Sequence, residues 1–234
     1  MKRIIPVLLL KDGMIVKSIK FDKIRPVSSP QSLTHIFNDR GVDELIILDI
    51  DAEKPHLEVL KDFTKNCFMP LTIGGGIRTL KDIQGLLNIG ADKVAIRTAR
   101  YLIPSASKRF GKQCIVGVID YNNNISKEDW YEENVIILSR KLEELGAGEI
   151  LLQSMDRDGT YKGFDLEAIK DVRKAIKIPL IVCGGAGCEG DFKKAAENGA
   201  DGIGAGSIYL FRNITPTAIK KYLDKEGIKI RRNY

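Results

Sequence analysis

The chain has 234 residues, of which 44% are hydrophobic, and it carries a net charge of +6. That length allows either one large α/β barrel or two small domains, with a substantial core. The positive balance fits a protein that binds anions, but the basic residues are scattered and aromatic residues make up only 7%, which argues against a nucleic-acid groove. No apolar run reaches the roughly 18 residues of a membrane helix, and the start lacks the apolar core of a signal peptide, so we expect a cytoplasmic protein.

Cysteine and histidine usage argues against a metal centre. The four cysteines are Cys67, Cys114, Cys183 and Cys188, and none forms a C-x-x-C pair. Cysteines in or beside apolar runs behave as small buried hydrophobes. With only His35 and His56 as imidazole ligands, a zinc site is not expected. The sequence therefore predicts reduced thiols and neither a metal nor an organic cofactor.

Apolar, β-branched runs alternate with amphipathic segments along the whole chain. The runs predict strands at Arg3–Leu10, Glu44–Ile50, Pro70–Ile73, Lys93–Ile96, Gln113–Ile119, Glu149–Ser154, Pro179–Val182 and Gly202–Ala205. The segments predict helices at Pro30–Arg40, Pro55–Asn66, Leu80–Asn88, Ile103–Phe110, Glu132–Leu145, Leu166–Ile176, Glu189–Asn198 and Thr215–Glu226. This alternation predicts a parallel sheet, and so many units in a short chain predict one (β/α)8 TIM barrel domain over residues 1–234. The alternative is an open doubly wound sheet.

Two segments interrupt the alternation, and both follow a strand. Met14–Phe21 is a further β-like run directly after Lys11–Gly13, a hairpin-type turn, and it predicts a small hairpin extension in the first βα loop. The polar segment Asp22–Pro30 is expected to lie as a loop over the mouth of the barrel, where it can act as a lid. The other interruption is the polar segment Tyr121–Glu133.

The stretch Pro70–Ile96 recurs without a gap at Pro179–Ala205, which predicts a barrel of two similar halves. In each copy a strand runs into glycines, whose N–H groups can approach an anion, and the following helix N-terminus adds favourable partial charge. The halves therefore predict two phosphate sites: a first cradle at Gly75, Gly76, Arg97 and Thr98, and a second cradle at Gly184, Gly185, Gly187, Gly206 and Ser207. Two cradles at one mouth suit a long ligand with a phosphate at each end, whereas glycines that serve only tight turns are the alternative.

Carboxylates at the predicted strand ends are candidates for catalysis and binding. Alignment of the first strand with the fifth sets Leu9 opposite Asp120, so Asp120 is the best single catalytic candidate. Its alternative role is a structural carboxylate that accepts hydrogen bonds from loop N–H groups. Asp158 lies in a turn after the sixth strand and is either a ligand-binding or a loop-stabilising residue. Asp49 and Ser154 end the second and sixth strands and are further binding candidates.

Specific motifs are spread over the chain, at Lys2–Pro6, Lys11–Gly13, Asp43–Leu45, Leu48–Ile50, Gly74–Ile77, Gly90–Val94, Gly146–Leu152, Asp156–Thr160 and Gly184–Gly187. With these motifs the chain resembles the cyclase subunit of imidazole glycerol phosphate synthase along essentially its whole length. The sugar-isomerising barrel of the same pathway shares the glycine loops but fits the other stretches less well. The resemblance implies a (β/α)8 barrel.

The resemblance also implies a partner and a path for ammonia. Members of the family dock a glutamine-hydrolysing subunit, whose ammonia enters at the bottom of the barrel and reacts at the top with a phosphorylated substrate. Four charged residues gate the bottom. The matching positions, here called the charge ring, are Arg3, Glu44, Lys93 and Glu149. A purely structural salt-bridge ring is the alternative.

Two further positions match functional residues of the family. Asp92 matches a residue at the partner-facing surface, and Lys17 matches a lysine on the first loop that reaches the ligand. An exposed hairpin lysine is the alternative for Lys17.

The top of the barrel departs from the family pattern. Leu9 occupies the position of one of two catalytic aspartates, Arg97 replaces an asparagine, and Gln153 replaces a threonine. The segment after Asp120 is shorter than usual and is expected to lack the family's β-like excursion. Loss of one member of an acid–base pair costs on the order of 10²–10⁴-fold in rate, which argues against ordinary cyclase activity.

Three functions follow from the resemblance and its departures. The first hypothesis is a synthase subunit in a surface-polysaccharide pathway, which passes ammonia to a third protein or to a nucleotide-linked sugar. The second is the histidine-pathway cyclase itself, with another group replacing the missing aspartate. The third is a non-catalytic scaffold that binds a phosphorylated ligand and activates its glutaminase. All three predict a glutaminase partner and a small phosphorylated ligand, with neither nucleic acid nor membrane.

Overall fold

The computed structural model describes residues 1–123, 125–127 and 132–232, and its strands close into a barrel. The strands are β1 (Arg3–Lys11), β2 (Met14–Ile19), β3 (Asp22–Ser28), β4 (Leu45–Asp49), β5 (Leu71–Gly74), β6 (Lys93–Ile96), β7 (Ile115–Asn122), β8 (Ile125–Lys127), β9 (Glu132–Asn134), β10 (Glu149–Ser154), β11 (Leu180–Cys183) and β12 (Gly202–Ala205). The barrel runs β1-β4-β5-β6-β7-β10-β11-β12 and closes by parallel pairing of β12 with β1. The predicted (β/α)8 fold and its barrel strands are confirmed.

Helices follow the barrel strands and cover them from outside. They are α1 (Pro30–Asn38), α2 (Leu57–Thr64), α3 (Leu80–Asn88), α4 (Ile103–Phe110), α5 (Val135–Leu145), α6 (Leu166–Ala175), α7 (Glu189–Glu197), α8 (Ser207–Phe211) and α9 (Pro216–Lys225). The sequence did not predict α8, because so short a helix cannot display an amphipathic period. None of the helices within the described ranges has both the length and the apolar character needed to span a membrane.

The two halves of the sequence repeat are built in the same way. Asp82 accepts hydrogen bonds from the two N–H groups that precede α3, at 3.0 and 2.8 Å, and Asp191 accepts those that precede α7, at 2.9 and 3.1 Å. Asp92 accepts the first N–H of β5 at 2.8 Å, and Asp201 accepts the first N–H of β11 at 3.1 Å. The repeated aspartates therefore hold equivalent helix starts and strand starts.

Side chains at every second strand position point into the barrel, so each strand carries an inward column from its N-terminal end, the floor, to its C-terminal end, the mouth. The columns include Arg3-Ile5-Val7-Leu9 on β1, Lys93-Ala95-Arg97 from β6, and Glu149-Leu151-Gln153 on β10. Their middle members pack together in one apolar cluster with residues such as Val116, Val118 and Ile181. This apolar layer separates the charge ring at the floor from the polar residues at the mouth.

The predicted hairpin after β1 is confirmed, but it is longer than predicted. β2 pairs antiparallel with β1 across a turn at Asp12 and Gly13, which both have positive φ, 49° and 73°. The prediction of a loop at Asp22–Pro30 is wrong for most of its length, because Asp22–Ser28 forms β3 and pairs antiparallel with β2. Most of β3 is exposed, and its sequence contains a lysine, an arginine and a proline, which are typical of an edge strand. Such a strand lacks the apolar alternation that would reveal it.

A second β excursion follows β7. The expectation that the segment after Asp120 lacks one is wrong, because β8 pairs antiparallel with both β7 and β9. The sequence predicts a helix from Glu132, whereas α5 begins after Asn134, whose side chain accepts a hydrogen bond from the Ile136 N–H at 2.9 Å. Strands of three residues are too short to show alternation. Residues 124 and 128–131 of the predicted interruption Tyr121–Glu133 lie outside the described residues.

Candidate functional site

A cavity of about 650 Å³ opens at the mouth of the barrel. Its wall includes the column ends Leu9, Leu48, Arg97, Asp120 and Gln153, the hairpin residues Ser18, Phe21 and Ile24, and the first-cradle residues Gly75, Gly76 and Thr98. This volume is typical of small-molecule sites, and the C-terminal ends of barrel strands are where such sites lie. The β2–β3 hairpin lies on one side of the cavity, and a lid role for this segment stays a prediction.

Asp120 and Leu9 both line this cavity, as their alignment predicted. The Asp120 carboxylate accepts a hydrogen bond from Arg97 Nη1 at 3.0 Å and is 6% exposed. Burial raises the pKa of Asp120, while the Arg97 guanidinium acts in the opposite direction. The side chain of Arg97 is 46% exposed and faces the cavity, so an anionic ligand can reach it. The Asp120 carboxylate is thus held beside a guanidinium that faces the cavity.

The first cradle lies open in the cavity wall. Gly75 and Gly76 have positive φ, 117° and 65°. A side chain at Gly75 would overlap the Asp49 carbonyl, and one at Gly76 would overlap the backbone of Lys54 in the β4–α2 loop. Glycine is therefore required here by both conformation and space. Thr98 lines the same wall beyond the end of β6. The structure brings all four predicted residues of the first cradle to one cavity.

The second cradle is covered by the loop that follows β10. A side chain at Gly185 would overlap the Gly163 carbonyl, and one at Gly187 would overlap the Tyr161 carbonyl. The Gly187 N–H donates to Asp191 at 2.9 Å, so it is already engaged. Gly184 and Ser207 are both buried, and so is Ser154, whose carbonyl lies against Gly184. In this arrangement the second cradle is less accessible than the first.

Lys17 reaches the second cradle from the hairpin. Its ammonium donates to Asp158 at 2.7 Å. The same ammonium lies 3.6 Å from the position that a Cβ atom would take at Gly206, which is an ordinary van der Waals contact. Ser18 donates to the other Asp158 oxygen at 2.9 Å. Lys17 is 8% exposed, so the exposed-lysine alternative is wrong. Asp158 therefore connects the hairpin to the loop after β10. Of the two roles predicted for Asp158, these contacts show the loop-stabilising one.

Asp49 stands at the end of β4 with a histidine beside it. Its Oδ2 lies 2.8 Å from His56 Nδ1, in the loop that precedes α2. Burial raises the pKa of Asp49 to about 6, and the nearby Asp51 carboxylate also raises it, while His56 lowers it. Asp49 lines the cavity and is 4% exposed.

The four residues of the charge ring meet at the floor. Arg3 donates to Glu44 at 2.7 Å and pairs with Glu149 at 3.1 Å. Lys93 bridges the same two glutamates, at 3.0 and 3.1 Å. Thr72, an inward residue of β5 that sequence reasoning missed, donates to Glu44 Oε1 at 2.7 Å. The ring is therefore closed by alternating charges, and every carboxylate oxygen in it has a partner.

Comparisons with known proteins agree with this geometry. A family model described as histidine biosynthesis protein matches residues 3–215. A Campylobacter jejuni protein, provisionally named imidazole glycerol phosphate synthase subunit hisF2, is 43% identical, and the match covers 98% of both chains. The imidazole glycerol phosphate synthase subunits HisF of Wolinella succinogenes and Clostridium botulinum are 40% and 37% identical, also over 98% of both chains. The chain belongs to the HisF-type histidine biosynthesis family.

Two residues of this HisF-type barrel, Thr72 and His56, were assigned no place in the site from the sequence. Thr72 could have been found, because it stands two positions before Gly74 and therefore shares its inward column. His56 lies in an irregular loop, where spacing does not indicate which way a side chain points, and only the structure brings it to Asp49. Asp92 is exposed at the floor side of β6, where it caps β5 through the Leu71 N–H.

Proposed function

We propose that this barrel is the synthase subunit of a glutamine amidotransferase that uses ammonia from a glutaminase partner on a phosphorylated or nucleotide-linked sugar, in surface-polysaccharide amidination. One contrast carries the proposal. The floor retains a complete charge ring, whereas the mouth holds Leu9 opposite Asp120 and a salt bridge from Arg97 to that aspartate. A barrel with an intact floor and an altered mouth is suited to the same nitrogen source and a different acceptor.

The floor supports the ammonia part of the proposal. The charge ring spans the bottom of the barrel, and the apolar layer of the inward columns lies directly above it. Burying a charge in such a layer is costly, so neutral ammonia can cross it far more easily than ammonium. In the closed ring, Arg3 and Lys93 each hold both glutamates, so passage requires some of these contacts to open. We propose that the glutaminase docks on this face, with Asp92 at the contact.

The mouth supports the amidination part. Ammonia that adds to an activated carbon forms a C–N bond and becomes an ammonium centre, which must lose a proton while the leaving group departs with its bonding electrons. The Asp120 carboxylate can take that proton, and Arg97 can hold a phosphate or carboxylate of the acceptor. One carboxylate is sufficient for such an addition. The cyclisation that the family resemblance implies uses two.

The direct test uses the full chain co-expressed with the glutaminase subunit of the same organism. We expect a stable complex that transfers ¹⁵N from amide-labelled glutamine to a nucleotide-linked sugar, with or without a third enzyme that activates the acceptor, as detected by mass spectrometry. The complex should show little turnover of the histidine-pathway substrate. Absence of a complex, or efficient formation of the cyclase product, would contradict the proposal.

The histidine-pathway cyclase is the second candidate, because two of the relatives are named as HisF subunits of imidazole glycerol phosphate synthase. Leu9→Asp separates it from the first. If that variant gains cyclase activity of about 10²-fold or more, the cavity is still shaped for the cyclase substrate.

A non-catalytic scaffold, the third candidate, predicts instead that Asp120→Asn changes no turnover when an ammonium salt replaces glutamine.

A further inference from the structure

We infer that Asp49, Asp51 and His56 form a binding site for one divalent cation, Mn²⁺ or Zn²⁺, at the edge of the mouth cavity, whose wall includes Asp49. Each residue offers one ligand atom, and these atoms all lie within 4.8 Å of one another. All three come from the end of β4 and the loop before α2. The inference concerns a metal and does not depend on the proposed ammonia transfer.

Apart from the spacing of the three ligand atoms, a buried carboxylate oxygen of Asp49 also points to a bound cation. Asp49 Oδ2 lies 2.8 Å from His56 Nδ1, but Asp49 Oδ1 is buried and accepts no hydrogen bond from any described residue. The Asp49 side chain is 1% exposed. A shielded carboxylate oxygen without a donor is destabilising, and a second carboxylate at Asp51 adds repulsion. A cation between the two carboxylates would remove both costs.

The donor set selects the type of cation. Two carboxylates and one imidazole form a mixed oxygen and nitrogen set, which suits Mn²⁺ or Zn²⁺ better than Mg²⁺ or Ca²⁺, which prefer oxygen ligands. Three protein ligands also leave coordination positions open for water or a ligand, as in catalytic metal sites. Asp51 and His56 are exposed, so a metal ion can enter without a change in the fold.

The position of the cluster indicates what the open coordination positions would bind. Asp49, Ile50 and Ala52 line the cavity, and the β4–α2 loop packs against Gly75 and Gly76 of the first cradle. Without a cation, carboxylates at this point would repel a phosphate in the cradle. With one, the same carboxylates hold a positive charge beside it, which would bind phosphate or diphosphate oxygens.

The test is metal binding by the purified full-length chain, without any substrate. Mn²⁺ is titrated and the free ion is followed by electron paramagnetic resonance, and Zn²⁺ is then added as a competitor. We expect one Mn²⁺ per chain, displaced by Zn²⁺, with a dissociation constant below about 1 mM. Absence of saturable binding up to that concentration would overturn the inference and indicate that Asp49 and His56 form only an ion pair.

Variants identify the ligands. Loss of an outer-shell partner already costs about 10–100-fold in metal affinity, so Asp51→Asn and His56→Gln should each weaken Mn²⁺ binding by about tenfold or more. Both residues are exposed, so the variants should fold. Glu53→Gln is the matched control, because it removes an exposed carboxylate from the same loop and should change affinity by less than about twofold. Equal weakening by all three would indicate diffuse attraction and contradict the site.

A second readout uses the fact that the chain has only two histidines. Zn²⁺ should shift the imidazole proton resonances of His56 and leave those of His35, on α1, unchanged. If both or neither shift, the proposed ligation is wrong. The proposed function is unaffected by that outcome, because complex formation and ¹⁵N transfer are measured separately.

Discussion

The floor and the mouth of this barrel differ in how completely their polar groups are satisfied. At the floor, both oxygens of Glu44 and both oxygens of Glu149 contact Arg3, Lys93 or Thr72. At the mouth, Asp49 Oδ1 and Gln153 Oε1 are buried without a partner among the described residues. A buried polar atom without a partner costs free energy that a ligand can recover. The difference indicates that the floor is a preassembled structure, whereas the mouth is completed by what binds there.

The largest expected effect comes from removing the proposed proton acceptor at the mouth. Asp120→Asn should lower ammonia-dependent turnover by about 10²–10⁴-fold, because the amide cannot accept the proton that the new C–N bond releases. The measurement is turnover with an ammonium salt in place of glutamine. Glutaminase binding, which the proposed function assigns to the floor, should not change. A variant that lost both would show that the two ends are not independent.

The largest expected effect on stability comes from opening the charge ring. Glu44→Ala leaves Arg3 and Lys93 with one carboxylate between them and leaves the Thr72 hydroxyl without its acceptor. We expect the free energy of unfolding to fall by about 3–5 kcal/mol, as measured by urea denaturation.

Asp62→Asn is the control for that variant. It removes an exposed surface pair with Lys65 at 3.1 Å and should cost no more than about 0.5 kcal/mol. If the Glu44 variant were equally mild, the ring would not be a structural unit of the floor.

A smaller effect distinguishes the two cradles. Arg97→Met should weaken binding of inorganic phosphate by about tenfold or more, since hydrogen bonds to charged groups contribute about 1.5–3 kcal/mol. Calorimetric titration of the full chain provides the measurement. Arg109→Met, which removes an exposed arginine that lies over Phe110, should have no effect. If Lys17→Met abolishes binding and Arg97→Met does not, phosphate binds in the second cradle and that cradle must open.

The smallest expected effect is a shift in pH dependence. Because burial raises the pKa of Asp120, the acid limb of the ammonia-dependent rate should lie above the ordinary aspartate value of about 3.9. Arg97 favours the ionised form, so Arg97→Met should move this limb to still higher pH. The rates must be compared at equal concentrations of free NH₃, because that concentration itself rises with pH. A limb that moves to lower pH in the variant would contradict the pairing.

Most of the barrel could be predicted from the sequence because its strands are apolar and bounded by glycines. β3 could not, since an exposed edge strand carries the same charged residues and proline as a loop. The β8–β9 excursion could not be predicted for a different reason. Its strands are only three residues long, and its apolar signal is too short to count.

The candidate site was predictable only in part. Strand ends converge at one mouth in a parallel barrel, so Asp120, Arg97 and the first cradle could be assigned to one cavity before the structure was known. The loop that covers the second cradle could not be predicted, because the cover depends on how Tyr161 and Gly163 pack onto glycines that are distant in the sequence. The contact of His56 with Asp49 also depends on a loop conformation that spacing does not determine.

The inward columns have a consequence for how such a barrel changes its chemistry. Lys93 and Arg97 belong to one column, as do Arg3 and Leu9, and the two ends of each column are separated by apolar side chains of the barrel interior. A substitution at the last position of a column leaves the first position and the strand register intact. New reactions can therefore be installed by exchanging a few terminal side chains, such as those at positions 9, 97 and 153, with no redesign of the scaffold or of the floor.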